Sequence, residues 1–152
     1  MNAKPALKAV IFDMDGTLFD SEPLWQIAEF EVFSTVGVTL TTEMMHSTIG
    51  LRIDEVIAYW FTQFPWTGKS QEQIHDEIVD RVIELVRERG SLLPGVEDAL
   101  AQVRASGLRI ALASASPMRM IEALVMHFEI GDAFEILRSG ADDSHGKPHP
   151  AV

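Results

Sequence analysis

Residues 9–18 read AVIFDMDGTL, a short apolar run that ends in two aspartates one residue apart. The run begins at Leu7 and contains β-branched residues, which indicates a buried β-strand. Side chains at positions i and i+2 of a strand point to the same side, so Asp13 and Asp15 face one small volume at its end. Two carboxylates this close repel each other unless a cation or a shared proton offsets the repulsion. The spacing therefore predicts a metal ion or a proton between them.

The composition of the 152 residues excludes several classes of protein. Hydrophobic residues make up 47% of the chain and charged residues 23%, which is typical of a globular chain. The net charge of −11 argues against a nucleic-acid binder. No apolar run approaches the roughly 20 residues of a membrane span. The chain has no cysteine and no apolar leader before the first strand, so we expect a cytoplasmic protein without disulfides or thiolate chemistry.

The rest of the chain predicts an α/β protein with a helical insertion. From Ser21 to Gly90 the apolar residues recur at helical spacing only, and Ser21 and Ser70 are predicted N-caps. The elements predicted after the insertion are a helix at 96–103, a strand at 108–113, a helix that starts at Pro117 and a strand at 134–137. This order indicates a parallel sheet interrupted after its first strand. Three strands make a thin sheet, so we interpret it as incomplete at the C-terminus, with an open edge that favours self-association.

Polar residues follow each predicted strand. Asp13 and Asp15 follow the first, Ser114 follows the second, and Lys147 lies beyond the third. Ligands of open α/β sheets bind at the carboxyl ends of the strands, so these residues are expected to meet. A serine at such a position is also a common N-cap of the following helix, which is the simpler interpretation of Ser114 or Ser116 taken alone.

This set of residues suits a phosphate ester. The Ser114 hydroxyl, the amides of Ala115 and Ser116 and a helix N-terminus would bind an anion, and Lys147 would add positive charge. Asp13 would attack phosphorus to form an aspartyl-phosphate, and Asp15 would protonate the leaving oxygen and later activate water. An oxygen-only aspartate site suits Mg²⁺.

The same motifs resemble the haloacid dehalogenase (HAD) superfamily of phosphatases. The resemblance is carried by DMDGT at 13–17, by Ser114 after an apolar strand and by Lys147-Pro148, with a helical insertion like the small α-helical cap of that superfamily. The segments that look most like the bacterial hexitol phosphatase/2-deoxyglucose-6-phosphate phosphatase group lie at 21–25, 50–54, 93–96, 113–117 and 147–150.

The resemblance implies a HAD-like (Rossmann-like) core and a role for each motif residue. The core would comprise residues 1–18 and 91–152, and the cap residues 19–90. Asp13 would be the nucleophile and Asp15 the acid/base, with Mg²⁺ held by the Asp13 carboxylate and the Asp15 main-chain carbonyl. The predicted phosphate or substrate contacts are Asp13, Met14, Asp15, Ser114, Ala115 and Lys147. In the cap we place Glu22 and Arg52 near the cleft, the alternative being surface charges at helix starts.

One feature departs from the family pattern. The family has a fourth motif, an acidic pair after another core strand, and Asp142 and Asp143 precede Lys147 and do not match it. We therefore expect the 152 residues alone to be weakly active or inactive. The leading hypothesis is a Mg²⁺-dependent phosphatase of small sugar or sugar-alcohol phosphates. The alternatives are a phosphosugar mutase related to β-phosphoglucomutase, and a non-catalytic fragment that binds phosphate or a partner chain.

Overall fold

The structure is a computed structural model that describes residues 7–141. The elements in chain order are β1 (Ala9–Phe12), α1 (Glu22–Ser34), α2 (Thr42–His46), α3 (Ile53–Gln63), α4 (Gln71–Arg89), α5 (Val96–Ala105), β2 (Arg109–Ser114), α6 (Met118–His127), a short 3-10 helix (Gly131–Ala133) and β3 (Ile136–Ser139). The predicted order of one strand, a helical insertion, and then helix, strand, helix and strand is confirmed. Among these helices none has the length and apolar character that a membrane crossing requires.

The three strands form a parallel sheet in the order β1-β2-β3. Val10 pairs with Ile110, and Phe12 pairs with Leu112, which in turn pairs with Leu137. Residues paired in a ladder lie on the same face of the sheet. Helix α5 packs on β2 and α6 packs on β3. Both crossovers run in the same direction across the sheet, and crossovers between parallel strands are right-handed as a rule, so we infer that these helices cover the same face.

The prediction of a buried first strand is wrong for one of its two faces. Ala9 and Ile11 are exposed, and Ile11 keeps 68% of its surface accessible. Ile11 lies beside Ala111, which lies beside Ile136, itself 51% exposed. This row belongs to the face opposite α5 and α6. A continuous apolar run is compatible with one or two covered faces, so the sequence alone did not distinguish them.

Helices α1 to α4 form the helical insertion, and α1 packs most extensively against α4. The buried side chains of α1 and α4 include Leu24, Ala28, Val32, Phe33, Ile74, Ile78 and Val82. Helix α4 also packs against α6, where the Arg119 guanidinium pairs with Asp76 and Asp80. The insertion is therefore attached to the sheet side of the molecule through α4. The division into a core of 1–18 and 91–152 and a cap of 19–90 stays a prediction.

The two ends of the insertion lie side by side. Gly16 adopts a positive φ of 68°, which lets the chain turn directly after the aspartates. Phe19 bridges to Leu92, and the Leu93 amide donates to the Leu18 carbonyl at 2.9 Å. The chain thus leaves and re-enters the sheet region at neighbouring points, beside the carboxyl end of β1. This arrangement holds the insertion over the aspartates.

Candidate active site

A cavity of about 470 Å³ lies between the carboxyl ends of β1 and β2 and the helical insertion. It is lined by six of the residues predicted from the sequence: Asp13, Asp15, Glu22, Arg52, Ser114 and Ala115. Residues that are about a hundred positions apart in the chain therefore meet at one opening. The predicted Lys147 lies outside the described residues, as do Asp142 and Asp143.

The Asp15 carboxylate is held by four side-chain hydrogen bonds. Oδ1 accepts from the Ser21 hydroxyl at 2.5 Å and from Trp25 Nε1 at 3.1 Å. Oδ2 accepts from the Ser116 hydroxyl at 2.7 Å and from the Ser114 hydroxyl at 3.2 Å. Two donors come from the start of the insertion and two from the turn after β2. Asp15 thus joins these two parts of the chain at the centre of the site.

Ser21 corrects one prediction. It precedes α1, but its side chain makes no capping hydrogen bond to the helix, because its backbone is helical (φ −90°, ψ −20°) where a capping residue is extended, and its hydroxyl donates to Asp15. Ser70 does cap its helix: its hydroxyl accepts from the Gln73 amide at 3.1 Å. Sequence alone predicts a cap at both serines. The backbone conformation distinguishes them, because Ser70 is extended and Ser21 is not.

Asp13 faces the cavity, and its Oδ1 accepts from the Met14 amide at 2.7 Å. The Met14 side chain is fully buried in the core and does not line the cavity. Met14 was predicted as a phosphate contact, and its amide is directed to Asp13 in this structure. A fixed, cavity-facing carboxylate is what a nucleophile requires.

The turn after β2 differs from the predicted anion site in one amide. The Ser116 amide donates to the Ser114 hydroxyl at 3.0 Å, so it is already used within the turn. The Ala115 amide has no hydrogen-bond acceptor within residues 7–141, and Ala115 lines the cavity. The turn is braced by β3, where the Ser139 hydroxyl donates to the Ser116 carbonyl at 2.7 Å. Because the single proton of the Ser114 hydroxyl is donated to Asp15, the Ala115 amide is the donor of this turn left for an anion, and Ser114 becomes a second donor when it leaves Asp15.

The insertion contributes Glu22 and Arg52 to the cavity wall, where the sequence analysis placed them. The Arg52 guanidinium contacts Asp54 through Nη2 at 2.7 Å, and its side chain is only 16% exposed. Glu22 accepts weakly from Gln26 at 3.5 Å. Both residues can reach a ligand in the cavity, and their roles stay predictions.

Three residues of α1 and its start were missed as site residues: Ser21, Trp25 and Glu29. They recur every four positions, which places them on one face of a helix that begins directly after the aspartates. That spacing was the available signal. Glu29 is 9% exposed and lines the cavity. Burial, with a further contribution from the negative charge of Glu22, raises the pKa of Glu29 to about 7.

The charge of the cavity favours a bound cation when an anionic ligand enters. Its described carboxyl groups are Asp13, Asp15, Glu22, Glu29 and Glu55, and its one described basic side chain is Arg52. No cluster of three acidic or histidine residues suited to a metal exists within residues 7–141.

The available oxygens fit the predicted Mg²⁺ in part. The Asp13 carboxylate faces the cavity, and the Asp15 main-chain carbonyl accepts no hydrogen bond from residues 7–141. The Asp15 carboxylate is already saturated by four donors, so its side chain is not a ligand in this arrangement. Mg²⁺ prefers oxygen donors and retains several waters, so two protein oxygens are compatible with it.

Fold and cavity together define an α/β protein in which two carboxyl groups at the end of the first strand line one cavity beneath a helical insertion. The chain belongs to the haloacid dehalogenase-like hydrolase family, whose model matches residues 7–152. The predicted family and fold class are thereby confirmed.

Similar proteins of known name agree with this membership. The chain is 42% identical to hexitol phosphatase B of Escherichia coli, over the whole chain and 69% of that protein. It is 28% identical to a phosphorylated carbohydrates phosphatase of Thermotoga maritima, over 96% of the chain and 67% of that protein. The crystal structure of CbbY from Rhodobacter sphaeroides in complex with phosphate superposes with a TM-score of 0.86, at 26% identity, over 96% of the chain and 69% of that structure. The prediction of an enzyme of the phosphoric monoester hydrolase class is confirmed.

Proposed function

We propose that this protein is a Mg²⁺-dependent phosphatase of small sugar or sugar-alcohol phosphates that acts through an aspartyl-phosphate on Asp13. The observation that carries the proposal is the meeting of Asp13, Asp15, Ser114 and Ala115 at one cavity beneath the helical insertion. Nucleophile, proton-transfer group and anion donors are then within one ligand's reach. The names of the hexitol and carbohydrate phosphatases support the substrate class.

The reaction follows from the positions of these groups. A carboxylate oxygen of Asp13 forms a bond to phosphorus while the bond from phosphorus to the sugar oxygen breaks. Asp15 has to enter this step in its protonated form: it gives that proton to the leaving oxygen, then removes a proton from the water that attacks the aspartyl-phosphate, which restores the protonated form. Inorganic phosphate leaves and Asp13 is restored. The Ala115 amide stabilises a phosphoryl oxygen, and the Ser114 hydroxyl adds a second donor when its proton turns from Asp15 to the phosphate.

The hydrogen bonds at Asp15 define a requirement of this mechanism. Its oxygens are occupied by four donors, so proton transfer to the substrate requires at least one donor to withdraw. Two of these donors, Ser21 and Trp25, belong to the insertion. Mg²⁺, held by the Asp13 carboxylate and the Asp15 carbonyl, would neutralise charge between Asp13 and the phosphate.

The test is a phosphate-release assay on a hexitol phosphate with Mg²⁺, with mass analysis of acid-quenched protein for one phosphoryl group on Asp13. Asp13→Asn should lower turnover by several orders of magnitude and abolish the modification. Asp20→Asn is the matched control, because Asp20 is exposed and lies outside the cavity. Release that needs a sugar bisphosphate activator would favour the mutase alternative. Equal turnover of both variants would overturn the assignment of Asp13.

A further inference from the structure

Glu29 is a buried carboxyl group that the proposed reaction does not use. It lies on α1 with 9% of its surface exposed, and it lines the cavity. Within residues 7–141 its carboxyl group takes part in no hydrogen bond and no ion pair. The carboxyl group lines the cavity, so a ligand bound there can supply a hydrogen-bond partner that the protein does not.

The position of Glu29 is fixed by the helix. Trp25, one turn earlier on the same face, contacts Asp15 directly. Glu29 is therefore one turn further from the phosphoryl site, and about 12 Å along the helix axis from Ser21. A ligand whose phosphate meets Asp13 can reach Glu29 only with a part that is remote from the phosphate.

The surroundings of Glu29 indicate the chemistry of that remote part. The other charged groups of the cavity are Asp13, Asp15, Glu22, Glu55 and Arg52. Negative charge from Glu22 and burial both disfavour the ionised form, and the pKa of Glu29 is raised to about 7. Near neutral pH the carboxyl group can therefore accept hydrogen bonds and, when protonated, donate one. Hydroxyl groups, which both donate and accept, match such a partner.

We propose that Glu29 is a specificity-determining residue that binds the remote hydroxyl groups of a polyhydroxylated phosphate ester. The inference deepens the proposed function and rests on it for the position of the phosphate. It accounts for a buried carboxyl group in a cavity whose lining also includes the apolar Met45 and Val56. Substrates without remote hydroxyls would leave Glu29 without a partner and would gain nothing from it.

The test measures kcat/KM for two substrates with the wild type, Glu29→Leu and Glu31→Leu. The substrates are a hexitol 6-phosphate, which has remote hydroxyls, and p-nitrophenyl phosphate, which has none. Glu29→Leu should lower kcat/KM for the hexitol phosphate between about tenfold and a hundredfold, the loss expected for hydrogen bonds to an ionisable group. Its kcat/KM for p-nitrophenyl phosphate should stay within about twofold. Glu31→Leu, on the same helix but exposed and paired with Arg81, is the control.

Binding is measured separately from turnover, so that failure of the proposed function is recognised on its own. In an Asp13→Asn background, calorimetry should show weaker binding of the hexitol phosphate on adding Glu29→Leu, and a smaller loss with Glu29→Gln, which keeps a hydrogen-bonding group. This comparison holds even if the wild-type chain hydrolyses neither substrate. The inference would be overturned if Glu29→Leu lowered kcat/KM equally for both substrates, or if it left the affinity for the hexitol phosphate unchanged. Tighter binding of an amino-sugar phosphate than of the hexitol phosphate would also overturn it.

Discussion

Asp15 and Glu29 line the same cavity, but their carboxyl groups differ in the hydrogen bonds that they accept. Asp15 accepts four hydrogen bonds from side chains on both sides of the cavity. Glu29 accepts none from residues 7–141, although it is more deeply buried. Burial without hydrogen bonds favours the neutral acid, which raises the pKa of Glu29. The first group is held in place by the protein, and the second remains available to a ligand.

The raised pKa of Glu29 predicts that its ionisation lowers the stability of the ligand-free protein. The pKa is 4.5 for the ordinary group and about 7 in the folded state, so between these values the folded state binds more protons than the unfolded state. The free energy of unfolding therefore falls as the pH rises through this window. The contribution of Glu29 is fully present below pH 4.5 and lost above about pH 7, and it amounts to about 3 kcal/mol.

Urea unfolding of the wild type and Glu29→Gln at a series of pH values measures this contribution. The amide does not titrate, so the stability of the variant relative to the wild type should increase from pH 4.5 to pH 7. Other carboxyl groups titrate equally in both proteins and cancel in the difference. A difference that does not change with pH would show that Glu29 ionises normally in the folded state.

At the scale of secondary-structure elements, the starts of α1 and α4 predict opposite effects of the same substitution. Ser70→Ala removes a capping hydrogen bond at an exposed helix start and should lower the unfolding free energy by about 1 kcal/mol, with turnover unchanged. Ser21→Ala removes no cap but deletes a donor to Asp15, so it should lower turnover. Urea unfolding and phosphate release, measured on both variants, separate the two roles. Loss of activity in both variants, or in neither, would contradict this distinction.

The elements were predictable from the sequence because each has its own local pattern. The apolar period of α4 and the short apolar runs of β1 and β2 are contained within their own residues. The carboxyl ends of parallel strands lie at the same edge of a sheet, so the sequence predicted that Asp13, Asp15 and Ser114 lie close together. The acceptor of the Ser21 hydroxyl and the burial of Glu29 depend on how α1 packs over the sheet. The four-residue spacing of Ser21, Trp25 and Glu29 places them on one face of α1, but it does not specify what that face contacts.

At the scale of the whole molecule, the described sheet leaves one apolar row uncovered. Ile11, Ala111 and Ile136 lie side by side on three strands, opposite the face that α5 and α6 cover. Neighbouring strands are about 4.8 Å apart, so the row forms a continuous apolar strip. Such strips are rare on monomeric proteins and mark surfaces that become covered. The expected self-association of this chain is most easily explained by this face and by the sheet edges.

We predict that Ile11→Thr reduces self-association of the 152-residue chain. Threonine retains β propensity while it removes apolar surface, so the strand should be preserved. Light scattering over a range of concentrations should show a lower average mass for the variant than for the wild type. Met126→Thr is the control, because Met126 is 76% exposed on α6 and away from the strip. If the wild type is monomeric at all concentrations, this face does not drive association.

The insertion between β1 and β2 also determines when the site can exist during synthesis. The bonds from Asp15 to Ser114 and Ser116 span 99 and 101 residues. At about 5 to 20 residues per second, a ribosome needs roughly 5 to 20 seconds to add that length. During this interval β1 has no partner strand, whereas the helices of the insertion already have local contacts from which to form. The aspartates are thus made about a hundred residues before the serines that complete their surroundings.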